Sequence, residues 1–262
     1  MVGRDLLNTG QLSEAIERVT GEVKAKPGDP AARTFYFELL SLSGDLERAT
    51  KQLEVLANSD WGSGAALYLG AIQAEKERRQ FFHRGPRPRV LCETSYANIY
   101  LEAVEHYTAG DSAAAAALLE GAPERALRGK MNNTDIAELS DSHDLLAPFL
   151  EVVMENHYAW VPWEAIQSLT IPEPRYLRDT LWAPASVTLH SGDHGEVLVF
   201  ALYVDSHLQQ EEEVKLGRRT IWETNPAGFT VAYGQKVISV GDIDCSILEM
   251  RTLEVEACRL AA

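Results

Sequence analysis

Apolar residues in the first half of the chain recur at helical spacing, and the recurrences themselves repeat. Gly10-Gln11-Leu12-Ser13-Glu14-Ala15 returns 34 residues later as Gly44-Asp45-Leu46-Glu47-Arg48-Ala49. One turn beyond each alanine stands a branched apolar residue, Val19 and then Leu53. A third, worn copy, Gly110-Asp111-Ser112-Ala113-Ala114-Ala115 with Leu119, lies 66 residues past the second, and the copy expected between them is not recognisable. Each copy predicts a helix–turn–helix hairpin. The glycine supplies a positive φ or a close approach at the turn, and the small alanine lets the second helix pack tightly on the first. A further helical stretch runs between Trp61 and Phe82.

In the second half the pattern changes. Asp144 is placed to cap a helix from Leu145 to about Glu155, with Leu146, Phe149, Leu150 and Val153 inward and Pro148 near its start. Pro172, Pro174 and Pro184 punctuate a loop-rich stretch around a helical turn at Arg175–Thr180. From 185 onward short apolar runs predict strands. Ser186–Leu189 faces Val197–Val204 across Ser191-Gly192-Asp193, and Leu216–Trp222, Phe229–Val240 and Ile247–Val255 follow. Gly228, Gly234 and Gly241 mark breaks or bulges. Strands in such succession predict an antiparallel sheet curled into a small barrel or sandwich. The 34-residue period, with Pro27 standing 17 residues after Gly10 and Trp61 in that place in the second copy, resembles a degenerate tetratricopeptide repeat. The expected fold is therefore α+β. A tetratricopeptide-like α-α superhelix over 1–130 precedes an α+β domain with a barrel-like sheet over 131–262.

Charge supports a break near 130. The chain of 262 residues carries a net −15. Residues 1–130 hold 18 acids and 16 bases, whereas 131–262 hold 21 acids and 8 bases. So acidic a surface argues against a general nucleic-acid binder or a protein of anionic membranes. No apolar run approaches the roughly 20 residues that span a bilayer, and the opening residues lack the apolar stretch of a secretory signal. Cys92, Cys245 and Cys258 are odd in number, lack metal-ligand spacing and read as packing residues in apolar surroundings. These features predict a cytosolic protein.

Candidate chemistry is sparse. His190-Ser191-Gly192-Asp193-His194-Gly195-Glu196 offers two imidazoles and two carboxylates as metal ligands, in a hairpin turn where polar residues are expected anyway. Asp141-Ser142-His143-Asp144 pairs carboxylates that a capping role would also use. Glu211-Glu212-Glu213 reads as a solvated loop. P-loop, dinucleotide, metalloprotease and nucleophile-elbow signatures are all missing, so no cofactor or metal is expected. Lys76, Arg78, Arg79, Arg84, Arg87 and Arg89 form a basic cluster, with Pro86 and Pro88 making its second half extended. It reads either as a solvated helix end or as a docking patch for an acidic partner segment. Tyr158, Trp160, Trp163 and Trp182 would serve either as core or as an aromatic cage. The alternative to a binding protein is a metal-dependent hydrolase using Asp141, His143, Asp179 or the His190/His194 turn, or a peptide-reading module built on those aromatics.

One family resemblance ties these pieces together. Leu146-Ala147-Pro148-Phe149-Leu150-Glu151, Tyr158-Ala159-Trp160-Val161-Pro162 and Leu177-Arg178-Asp179-x-x-Trp182 come first, then Leu216-Gly217-Arg218-Arg219-Thr220-Ile221-Trp222 and Tyr233-Gly234-Gln235-Lys236. With Phe37-Glu38-Leu39-Leu40 and Glu77-Arg78-Arg79 upstream, this ordered set resembles the ImpE/TagJ family of type VI secretion accessory proteins over residues 5–256. Two departures stand out. Leu145-Leu146-Ala147 replaces the family's usual Arg-Leu-Gly, and Asn156-His157 stands where a glycine usually precedes the first aromatic, so Asn156 must make that turn. The resemblance implies a non-enzymatic adaptor that binds the small subunit of the contractile sheath and is associated with recruiting the ClpV AAA+ ATPase. Arg78, Arg79, Arg84, Arg87, Arg89, Tyr158, Trp160, Trp163, Arg178, Asp179 and Trp182 are the candidate partner-binding residues. The oligomeric state is left open, a homo-oligomer included.

Overall fold

Three turns of the chain are built alike. In the computed structural model, which describes residues 2–58, 62–125, 127–241 and 243–257, Gly10, Gly44 and Gly110 have φ of 81°, 81° and 84°. After each glycine the next N–H reaches back five residues, from Gln11 to Leu6, Asp45 to Leu40 and Asp111 to His106. That bond closes a Schellman motif. The turns join α1 (Val2–Asn8) to α2 (Leu12–Ala25), and α3 (Pro30–Leu42) to α4 (Leu46–Leu56). After α5 (Gly62–Phe82), the third joins α6 (Ala97–Thr108) to α7 (Ser112–Glu120). Ala15, Ala49 and Ala115 are fully buried, as close packing of each hairpin requires. The repeat is interrupted because α5 runs unbroken for 21 residues where another turn would fall. Trp61 and Cys258 lie outside the described residues.

Beyond the helices the chain is mostly strand. β1 (Arg89–Val90) precedes α6, and β2 (Gly129–Met131), which spans the charge break, β3 (Thr134–Ile136) and β4 (Ser140–Asp141) follow α7. Then come β5 (Phe149–Met154), β6 (His157–Pro162), β7 (Ile166–Thr170), β8 (Trp182–Leu189) and β9 (His194–Phe200). After a short helix α8 (Glu212–Lys215) lie β10 (Thr220–Thr224), β11 (Thr230–Gly234), β12 (Val237–Val240), β13 (Ile243–Ser246) and β14 (Thr252–Val255). Nine strands form one sheet in the order β1-β6-β5-β9-β8-β7-β14-β2-β3. Among the described residues only β1 pairs in parallel, with β6. β10 and β11 make a separate ribbon, and β13-β12-β4 a small third sheet. The order of the large sheet is open at β1 and β3. Among the described residues there is no closed barrel, and the barrel-like expectation becomes an open, two-faced sheet.

Burial on both faces explains where the sequence reading failed. The helix expected over 145–155 is a 3-10 turn, Asp144–Leu146, followed by β5. Phe149 and Val153 face the helices and join the core containing Phe37, Phe81 and Trp182. Leu150 and Val152 point the other way, into a second core with Trp163, Ile238 and Met250. A strand covered on both sides has no polar alternate positions, so its pattern cannot be told from that of a buried helix. Glu155 (φ 51°) and Asn156 (φ 68°) turn β5 into β6, as a type I′ hairpin requires. Asn156 thus makes the turn expected of it, and the tip lies against Gly70 of α5, where a Cβ would collide with the Asn156 side chain. The strand expected over 216–222 is instead the end of α8, a Gly217 turn (φ 65°) and the start of β10; the one over 229–240 is two strands. Cys92 is exposed rather than packed in apolar surroundings, and Cys245 is half-buried.

Candidate functional site

The family-like motifs converge on three places, and the first is a buried ion network between α5 and the sheet. The Arg78 guanidinium donates to both oxygens of Glu151 at 2.8 Å, to the Leu202 carbonyl at 2.9 Å and to Glu75 at 3.3 Å. Lys236 Nζ lies 2.9 Å from Glu151 and 2.7 Å from Asp141. Tyr158 donates its hydroxyl to Glu151, and Tyr203 donates to Asp141 at 2.8 Å. Burial pushes the Glu151 carboxyl up, but Arg78 and Lys236 outweigh it and hold the group down at about 2. Burial lifts Asp141 above its usual range even with Lys236 beside it. His143 packs between Phe82 and Tyr203, its Nδ1 without a hydrogen-bond partner among the described residues. Burial first, then the Lys236 charge, brings its imidazole down to about 3. Arg78, Glu151, Lys236 and Asp141 are almost wholly inaccessible. A cavity of about 30 Å³ touches Arg78, room for a water or two but not for a substrate. This arrangement fastens the helices to the sheet.

The second place is a clamp on the first two hairpins. Helix α2 has no side-chain cap of its own, since Gln11 does not reach its backbone. Glu212 supplies one from α8, accepting from the N–H groups of Leu12 at 2.7 Å and Ser13 at 3.0 Å. Arg218 completes the turn from the other side, donating to the exposed carbonyls of Leu7 at 2.8 Å and Asn8 at 3.2 Å. Helix ends leave exactly these groups unsatisfied, donors at the start and acceptors at the finish. Glu212 is therefore a cap and not part of a solvated loop. His207 seats against Gly44 in the second turn, where Arg79 also donates to the Gly44 carbonyl at 3.1 Å.

The third is a cleft of about 720 Å³ between α1, α3 and the segment 175–178. Asp179 shapes its rim by accepting from the N–H groups of Arg175 at 2.8 Å and Tyr176 at 3.0 Å. Arg178 donates to Glu38 of α3 at 2.7 Å and stacks over the Tyr68 ring at 5.2 Å and the Tyr176 ring at 4.0 Å. Burial lifts the Glu38 carboxyl above its usual range, against the pull of Arg178. Behind the cleft Trp182 stacks on Phe37 with centroids 6.5 Å apart. The Leu177-Arg178-Asp179-x-x-Trp182 motif thus anchors a loop that presents Arg175 and an exposed Tyr176 to solvent.

The remaining candidates are scattered. Arg78 is core, not patch. Arg79 pairs with Glu75 at 2.7 Å, and Arg84 donates to the Thr108 carbonyl at 3.1 Å. Arg87 forks onto Glu105 at 2.6 and 2.7 Å, and Arg89 lies 3.6 Å from Glu155. The basic cluster is a set of local pairs, invisible to a count of charges along the chain. Tyr158, Trp160, Trp163 and Trp182 are all buried, Trp163 in the opposite core from the other three, so they do not form an accessible cage. His190 and His194 sit at the exposed β8–β9 turn. Among the described residues no three His, Cys, Asp or Glu side chains are grouped to hold a metal ion, and no helix is long and apolar enough to cross a membrane.

Helices joined by buried ion pairs to an open sheet define a mixed helix-and-strand scaffold protein with a solvent-facing cleft. The ImpE protein family model matches residues 133–254. The type VI secretion system accessory component TagJ of Pseudomonas aeruginosa PAO1 is 30% identical over 261 residues, covering 98% of this chain and 92% of its own. The chain belongs to the ImpE family. The crystal structure of protein VPA1032 from Vibrio parahaemolyticus shares the fold, with a TM-score of 0.90 and 23% identity over 98% of both chains.

Proposed function

We propose that this chain is a non-catalytic accessory protein of a bacterial type VI secretion system, acting in the cytoplasm as an adaptor. It binds the small subunit of the contractile sheath and helps bring the ClpV ATPase to it for recycling. The observation that carries this reading is the 30% identity, over nearly the whole of both chains, to a protein named as an accessory component of that system. The distribution of charge agrees with it. Glu151 and His143, both strongly perturbed, are buried inside the scaffold rather than set in an open cleft. Recognition would be of the helix-in-groove kind, with an amphipathic segment of the partner laid against the helical half.

Isothermal titration with purified sheath small subunit tests the reading. Binding at micromolar affinity or tighter, with no turnover in a hydrolase panel, is the expected result. Absence of binding to the sheath subunit and to ClpV, together with a hydrolytic activity lost on substituting His190 or His194, would overturn it in favour of the enzyme alternative.

A further inference from the structure

We propose that the cleft between α1, α3 and the 175–178 loop is the docking site for an acidic amphipathic segment, an inference that rests on the adaptor reading above. Charge is the first argument. Arg4, Arg175 and Arg178 line the cleft with one lining carboxylate, Glu38, and a second, Asp179, at the rim bound to backbone N–H groups, on a chain whose net charge is −15. Glu38 already belongs to Arg178 at 2.7 Å. Arg4 and Arg175 are exposed, and among the described residues neither makes an ion pair. Elsewhere most surface arginines are paired, as Arg48, Arg87, Arg218 and Arg219 are. Two cations without an ion-paired carboxylate, Arg4 from α1 and Arg175 from the loop, line one cleft and favour an anionic partner there.

Apolar surface is the second argument. Tyr176 is 57% exposed, yet its ring is held from behind by Arg178 and its backbone by Asp179. An aromatic ring fixed before binding loses little entropy when a partner covers it, which is the property of an interface anchor. Phe35, with Arg4 over its ring at 5.5 Å, and Leu177 supply the apolar floor. The occupant that fits is therefore a segment with carboxylates reaching Arg4 and Arg175, and an aliphatic or aromatic side chain between them against Tyr176.

The test compares the full-length protein with an Arg4→Glu/Arg175→Glu variant and with Tyr176→Ala. A control variant, Lys130→Glu, reverses an exposed charge outside the cleft. Two probes are used, the sheath small subunit and a fluorescein-labelled synthetic helix of glutamate and leucine. The cleft double variant should lose at least tenfold in affinity for the sheath subunit at low salt, the loss shrinking at high salt. Tyr176→Ala should lose a similar factor at every salt concentration, and the control should stay within twofold. Melting temperatures identical to the parent would show that the cleft variants are folded. If the sheath subunit binds all variants equally, the cleft is not the site, while the adaptor reading stands. If it binds none but the synthetic helix binds in an Arg4- and Arg175-dependent way, the adaptor reading falls and the cleft assignment survives. Failure of both probes overturns both. Conversion of a dimer to a monomer by the cleft double variant, seen by sedimentation, would put a second copy of the chain there and overturn the assignment.

Discussion

Replacing Lys236 by methionine tests whether the buried network holds the two layers together. Among the described residues the Lys236 ammonium is the only cation touching Asp141, at 2.7 Å, and is shared with Glu151 at 2.9 Å. In Lys236→Met, Glu151 keeps the two Arg78 hydrogen bonds and the Tyr158 hydroxyl. Asp141 keeps only neutral donors, the Tyr203 hydroxyl and the His143 N–H. Breaking a buried pair while leaving one charge behind costs about 3–5 kcal/mol. At about 2–4 °C per kcal/mol for a chain of this size, the thermal midpoint should fall by roughly 6–20 °C. The deficit should also depend on pH. Burial already raises the Asp141 pKa, and removing Lys236 raises it further. A folded pKa above the unfolded one means that protonation favours the folded state, so the deficit should be smaller at pH 5 than at pH 7.5. Adding Asp141→Asn should recover part of the loss, because no uncompensated charge then stays buried. Thermal unfolding followed by circular dichroism measures all three. A midpoint within 2 °C of the parent, or a double variant no more stable than Lys236→Met, would refute the reasoning.

Three further outcomes follow from the packing. Ala49→Leu should cost about 1–3 kcal/mol by overpacking the second hairpin, while Ala113→Leu on the exposed face of α7 should be nearly neutral in urea unfolding. Gly44→Ala and Gly110→Ala share a left-handed φ and its penalty of about 1–2 kcal/mol. Only at Gly44 would the new Cβ also meet the His207 ring, so its unfolding midpoint should drop clearly further; equal drops would contradict the seating of His207. The folded pKa values of His143, about 3, and His207, about 4, lie below the ordinary 6.5, so stability is full above pH 6.5 and is lost as pH falls toward them. Each steepens the loss as pH falls below 6.5, and His143→Phe should make the slope measured between pH 5 and 6 shallower.

Local signals were readable in the chain and distant ones were not. The glycine turns could be seen because the left-handed residue, the following Asp of the second and third copies and the packing alanine lie within six positions of one another. The β8–β9 hairpin and the turn at Leu177–Thr180 were visible for the same reason. Arg78 was misplaced on the surface because its partner Glu151 lies 73 residues away. Nothing near Glu212 in sequence betrays that its carboxylate belongs to the start of α2. β5 escaped because a strand covered by helices on one face and a second core on the other carries no alternation. The cleft was legible only through Arg178 and Asp179. Arg4, Arg175 and Tyr176 are brought together by the fold alone.

The cap that Glu212 places on α2 has a consequence for the order in which the protein can be made. The acceptor is synthesised 200 residues after the donors it satisfies. At about 5–20 residues per second, the first hairpin spends roughly 10–40 s outside the ribosome before its cap exists. During that interval the leading N–H groups of α2 have only water, and the end of α1 lacks Arg218. A nascent chain stopped before 212 therefore carries an N-terminus that can coil into helices but cannot complete them. Loss of the 212–218 segment would be felt some 200 residues upstream, as fraying where α1 ends and α2 begins.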